Sequence, residues 1–303
     1  RDLADVARWT ARGGDPVAHP ATLPVRRGLD AQLARRSPAF TEWDGNLAGA
    51  PVAGPSTEHA WSPTRLQHWA ECGFKYYLGH VLGLSDRDEP ERILDLDPLD
   101  RGRGVHEVLE RFMAEAIERG APDPDQPWSA ADHERIRAIA TEVFAEYEFG
   151  GRTGRALHWR LTNADLLDSL DDFLLDDDAH RALTRSRPEF VEYPFGDGTA
   201  PPALVELPDG RTLRFRGVAD RIDRVDDRRV VVSDYKTGKG TQYKGLGDDD
   251  PVRGGTLLQL GLYAKAVSQH LGVTDVDSHY WIVNPDPKLR QRMRRAYRDA
   301  FHE

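Results

Sequence analysis

The stretch from Gly217 to Gly238, GVADRIDRVDDRRVVVSDYKTG, constrains this chain more than any other. Apolar and β-branched residues alternate with charges, the period-two pattern of strands, and Asp226-Asp227 supplies a turn between them. A three-residue loop, Asp226 to Arg228, sets Val225 against Arg229 and brings Asp220 directly opposite Asp234, ~4.5–5.5 Å away at Cβ. Alternation then puts Lys236 on the same face as Asp234. A two-residue loop shifts the register by one and separates the carboxylates. Two carboxylates and a lysine at one spot are costly in a core. They suit a bound divalent cation, with the lysine beside an attacking water or a phosphate.

Composition limits the alternatives. At 303 residues the chain can bury a sizeable core in one large or two small domains. No apolar run approaches the ~20 residues of a membrane span, and no signal-peptide core opens the chain. A single cysteine excludes an intramolecular disulfide and fits a reducing cytoplasm. The net charge of −10 opposes bulk attraction to nucleic acid, so a nucleic-acid enzyme would need a local basic groove. No phosphate loop of an ATPase motor is present.

Other segments carry weaker signals. Residues 1–60 are rich in Pro, Gly, Ala and Arg, and the start at Arg1 reads as an excised piece of something longer. Ser62 and Pro63 mark a helix start, Leu66 and Trp69 give it an apolar face, and Gly73 is its expected stop. Residues 86–101 read as a loop. In RGRGVHEVLERFMAEAIERG, helical spacing puts Gly102, His106 and Glu110 on one face, with Val105, Leu109, Phe112 and Ile117 as the apolar stripe. A helix is expected from Ala130 to about Tyr147. Another runs from about Asn163 to Leu175, its acidic residues through Asp178 forming a solvated face. Glu189 to Phe195 alternates as a strand. Ala203–Leu207 and Arg211–Phe215 read as a hairpin. Gln259 and Tyr263 share a face of a later helix, Ser278 to Val283 is a last strand, and the basic tail from Lys288 reads as a helix. From its residues alone, Tyr263 could equally pack its ring into the sheet.

Together the elements G-x-x-D…D-Y-K-T-G, G-x-x-x-H-x-x-L-E and Q-x-x-x-Y resemble the PD-(D/E)XK nucleases of the RecB/AddB type. The resemblance spans roughly Ser62 to Val283. It implies an α/β fold with a restriction-endonuclease-like mixed central sheet of four or five strands, flanked by helices, and a largely helical N-terminal portion. Residues 1–60 would be a connector from a preceding domain and 61–303 the nuclease domain. The implied activity is Mg²⁺- or Mn²⁺-dependent DNA cleavage, exonuclease favoured over endonuclease, with a helicase motor in the same polypeptide or in a partner protein. Asp220, Asp234, His106 and the Tyr235 carbonyl match the metal ligands, Lys236 the catalytic lysine, and Gln259 and Tyr263 the DNA channel. Glu192 falls near an acidic strand position of the family. Cys72 matches the first of four iron–sulfur ligands. With no other cysteine a cluster requires a longer parent chain, and Cys72 otherwise reads as a small buried apolar residue. The rival function is a catalytically idle DNA-binding or scaffolding protein that keeps the fold.

Overall fold

The computed structural model describes residues 2–44, 46, 48, 59–85, 94–247, 249–284 and 293–296. It divides into two compact units, Arg1–Gly54 and Pro55–Glu303. The first holds helices α1 (Asp2–Ala11) and α2 (Leu23–Arg35), with three short 3₁₀ turns and, among the described residues, no strand.

The second unit is built on a five-stranded sheet. Its strands are β2 (Arg187–Phe195), β5 (Gly217–Arg224), β6 (Arg229–Lys236), β7 (Asp275–Ile282) and β8 (Met293–Ala296), in the spatial order β2-β5-β6-β7-β8. All neighbours are antiparallel except β6 and β7. A parallel pair needs a long crossover, which α8 (Gln259–Leu271) provides. A smaller sheet, β1-β4-β3, joins Ala60–Trp61, Thr212–Phe215 and Ala203–Glu206. One face of the large sheet gives Tyr235 and Trp281 to a core shared with α5 (Pro98–Glu118), α6 (Ala130–Phe149) and α7 (Ala156–Thr184). The other packs Ala219, Ile222, Val230 and Val232 against α8 and the small sheet. The fold is therefore α/β with a mixed sheet between helices, as the resemblance implies.

Local chemistry explains the elements that place the site. Asp97 caps α5, its carboxylate accepting the Leu99 N–H at 2.8 Å, and Pro98 occupies the first helical position. Ser129 and Asp132 form a capping box at the start of α6. The β5–β6 loop has the three-residue form: Val225 N–H bonds to the Arg229 carbonyl at 3.0 Å. Asp226 Oδ1 accepts from the backbone of Arg228 and Arg229 inside it.

Several expectations are corrected. Cys72, not Gly73, ends α3 (Pro63–Glu71), by adopting extended backbone, and Gly73 opens α4 (Gly73–Tyr76), which runs on into a π-helical turn. Trp69 is exposed, while Pro63 and Gln67 are the buried residues of α3. Cys72 is itself exposed. α7 is more than twice as long as its apolar pattern suggests, and its Asp177 is fully buried by an ion-pair network rather than solvated. Met293–Ala296 is a strand bonded to β7, not part of a helix. The rest of the basic tail, and residues 86–93 of the expected loop, lie outside the described residues.

Candidate active site

The register of β5 and β6 runs from Arg221/Ser233 to Arg224/Val230. Continued by one residue it sets Asp220 against Asp234. There the strands part. The Tyr235 N–H, which an unbroken ladder would give to the β5 backbone, is accepted instead by Asp220 Oδ2 at 2.6 Å. On the other side of β5, Val191 pairs with Arg221 and Tyr193 with Ala219, which leaves Glu192 opposite Asp220. Glu192 takes φ +44°, a left-handed conformation that a non-glycine residue adopts at a cost. Three carboxylates thus stand in a row across β2, β5 and β6.

α5 supplies the next group. His106 Nε2 donates to the Tyr235 carbonyl at 2.9 Å, so Nδ1 carries the lone pair and faces Asp220 Oδ2 at 3.6 Å. Burial holds the His106 pKa below the usual histidine value, with Asp234 acting in the opposite sense. A neutral imidazole lone pair and a carboxylate oxygen attract only through a shared cation or proton. Ligand atoms of His106, Glu192 and Asp220 all lie within 4.8 Å of one another. The donor set, one nitrogen and two carboxylates, fits a divalent cation at ordinary coordination distances. α5 is held close by Arg101, which donates to the Thr237 carbonyl at 2.8 Å. A Cβ at Gly102 would already sit 3.4 Å from Thr237 Oγ1.

Electrostatics match this geometry. Burial, then the charge of Asp234, raises the Asp220 pKa well above the carboxylate range. Burial, then Glu110 and Asp234, pushes Glu192 up to about 7. For Lys236 burial works toward the neutral amine, but Asp234, Tyr243 and Asp220 outweigh it and the pKa is raised. The lysine is therefore an ammonium. It is ion-paired to Asp234 Oδ2 and lies 5.4 Å from the centre of the Tyr280 ring. Asp234 is 1% exposed and sits behind Lys236. The whole opens on a cleft of about 840 Å³, walled by Gly102, Arg103, His106, Glu107, Glu110 and Arg111 on α5 and by Lys236 at the end of β6 with Thr237 and Gly238 beyond it.

The structure therefore brings together Asp220, Asp234, Lys236, His106 and the Tyr235 carbonyl. Gln259 and Tyr263 are not on the cleft wall: Tyr263 is buried and Gln259 half-buried behind Asp234. Exposed Cys72 offers one thiolate, which cannot make a four-thiolate cluster. Glu192 is absent from the ligand set that the sequence implies. Its place in an alternating strand, near an acidic strand position of the family, marks it in the sequence, but its register against β5 is not readable from that. A bulge between Pro188 and Phe190 shifts it.

A mixed sheet whose strands part around two aspartates, with a lysine two residues past the second, is the arrangement the PD-(D/E)XK motif describes. The chain belongs to the PD-(D/E)XK nuclease superfamily, whose family model matches residues 60–303. A protein of Symbiobacterium thermophilum, named as a subunit of an ATP-dependent helicase/deoxyribonuclease, is 32% identical over 222 residues, 68% of this chain and 17% of its own length. Proteins of the same name from Moorella thermoacetica (29% over 215 residues, 68% of this chain and 17% of the relative) and Clostridium acetobutylicum (29% over 224 residues, 71% and 18%) are similar. The chain thus spans about a sixth of the length of these curated relatives.

Among the described residues, no helix is long and apolar enough to cross a membrane.

Proposed function

We propose that this chain is the nuclease part of a DNA helicase–nuclease and hydrolyses DNA phosphodiesters with a divalent cation, Mg²⁺ or Mn²⁺. The observation that carries the reading is the row Glu192–Asp220–Asp234, closed at one end by His106 Nδ1 and at the other by the Lys236 ammonium. Asp220, Asp234, His106 and Glu192 would hold the cation, with the Tyr235 carbonyl beside them. When bound, it supplies Lewis-acid polarisation of the phosphate and lowers the pKa of adjacent water.

The protein's own groups do the rest. Lys236, charged and kept so by Asp234, cannot accept a proton. It donates hydrogen bonds that orient the attacking water and meet the charge developing on the phosphate. As a compact point charge it suits this better than a planar guanidinium. His106 gives its Nε2 proton to the Tyr235 carbonyl and so presents Nδ1 in one orientation. The names of the relatives, each a helicase/deoxyribonuclease, support DNA as substrate and a motor in the same polypeptide or in a partner protein. Residues 61–303 would carry the nuclease, with 1–60 as connector. Exonucleolytic action is carried from the family resemblance.

The test is cleavage of linear and closed circular DNA, single- and double-stranded, by the wild type, Asp220→Asn, Asp234→Asn and Lys236→Met. Cleavage should require Mg²⁺ or Mn²⁺, fall by at least about 10³-fold in each variant, and spare closed circles. Near wild-type cleavage by Asp234→Asn would sink the reading.

A further inference from the structure

Asp234 lies on β6 with 1% of its surface exposed, and two side chains hold its two oxygens. Oδ2 is ion-paired to Lys236. Oδ1 lies 3.4 Å from Nε2 of Gln259, the first residue of α8. The same nitrogen is 3.2 Å from the Tyr263 hydroxyl, one helical turn on. An amide nitrogen has two hydrogens, and here each has one oxygen to point at.

Tyr263 cannot move easily. Its ring is buried, edge-on to Phe195 at 5.6 Å between centroids and 79° between planes. It also packs on the backbone that opens β5. A Cβ built on Gly217 would lie 2.8 Å from the Phe195 ring and 3.0 Å from that of Tyr263. Glycine there admits both rings. Gly217, Phe195, Tyr263, Gln259 and Asp234 thus form a continuous strut from the start of β5 to the carboxylate. Aspartate χ2 is a broad torsion, so a carboxylate that must meet a cation in one orientation needs such a hold. Neither Gln259 nor Tyr263 walls the cleft.

We propose that Gln259 is a positioning residue for the Asp234 carboxylate, held in turn by Tyr263, and that neither side chain contacts DNA. The inference rests on the metal-site reading above and replaces a DNA-channel role for this helix face.

The experiment uses the full chain. Gln259→Met keeps length and volume but removes the donor; Tyr263→Phe keeps the ring and removes the acceptor. Mn²⁺ affinity is measured by calorimetry without DNA, and affinity for a single-stranded oligonucleotide is measured in EDTA. Losing this one long hydrogen bond should raise the Mn²⁺ Kd about three- to tenfold in Gln259→Met, and less in Tyr263→Phe. Oligonucleotide affinity should not change. Any loss of oligonucleotide affinity, or an unchanged Mn²⁺ Kd in Gln259→Met, overturns the proposal. If Gln259→Met does not fold, Gln259→Asn, which withdraws the amide but stays polar, is read by the same two measurements. Asp234→Asn separates the two levels. If it binds Mn²⁺ like the wild type, the metal-site reading itself fails. If it binds more weakly while Gln259→Met does not, only the positioning role fails.

Discussion

Glu192 stores two kinds of unfavourable energy at one residue: a left-handed backbone at φ +44° and a carboxylate facing Asp220 beside Glu110. Each is hard to explain in a strand that only has to fold. Both are relieved in a defined way. Glu192→Gly removes the backbone strain, which costs on the order of 1–3 kcal/mol, and the like-charge repulsion with it. We expect it to raise the Tm of the metal-free protein while weakening Mn²⁺ binding, checked by thermal unfolding with and without the ion. A lower Tm would show that the conformation is not strained. The same residue sets a pH dependence. Its folded-state pKa, about 7, lies above the ordinary 4.5, so its contribution to stability is full below pH ~4.5 and lost as pH rises through ~7. Asp220, also raised, acts in the same sense. In EDTA the wild-type Tm should therefore fall between pH 5 and 8, and fall less in Glu192→Gln. Parallel profiles for the two proteins would remove Glu192 as the cause.

At the scale of elements, β5 carries different chemistry on its two faces. Asp220 points toward the site, while Arg221 and Asp223 point toward the helices. There Arg221 meets Asp177 of α7 at 2.7 Å and Asp223 at 2.5 and 2.7 Å, all three fully buried. Asp177 also takes Arg181 at 2.9 Å and the Trp128 indole N–H at 2.8 Å. Breaking such a network by one partner leaves buried charge uncompensated. Asp177→Asn should therefore destabilise by about 3–5 kcal/mol in urea unfolding. A loss under about 1 kcal/mol would mean the pairs are solvated in solution.

This network also shows where sequence reading stops. The Asp220–Asp234 pairing is legible because a three-residue turn and strict alternation carry register over a short distance. The face shared by Gly102, His106 and Glu110 is legible from helical spacing, and all three residues do wall the cleft. Asp177 is not legible. Within a run of acidic residues on one helix, it is Arg221, arriving from a strand 44 positions later, and the Trp128 indole that set it apart as the fully buried one, and neither is readable from the run. Glu192 is only weakly marked for a similar reason, since two strands of the smaller sheet come between it and its neighbour β5 in the chain and a bulge shifts the register. Cys72 reads as buried by residue type, yet it sits on the exposed break between α3 and α4.

Over the whole molecule, a net charge of −10 sets the conditions under which a polyanion can approach. The cleft does not reverse that charge by itself. Glu107, Glu110, Glu192 and Asp220 line it, and of its arginines Arg111 is paired to Glu107 at 2.5 Å while Arg103 lies 3.6 Å from Asp100. Lys236 is likewise paired, to Asp234. Without a cation, the wall nearest the phosphate presents repulsion. Neutralising one exposed carboxylate of the cleft wall should then help DNA bind. At ~4 Å in a water-like medium a like-charge contact costs about 1 kcal/mol, so replacing Glu110, exposed on the cleft wall, by Glu110→Gln should make the protein bind a single-stranded oligonucleotide about fivefold more tightly than the wild type in EDTA. The measurement is a fluorescence titration at low and at physiological salt, the gain shrinking at the higher ionic strength as screening grows. Added Ca²⁺, a hard dication of the same charge, should tighten wild-type binding and leave Asp220→Asn nearly unchanged. If Glu110→Gln binds no better than the wild type in EDTA, this wall does not face the DNA backbone, and the phosphate must enter elsewhere.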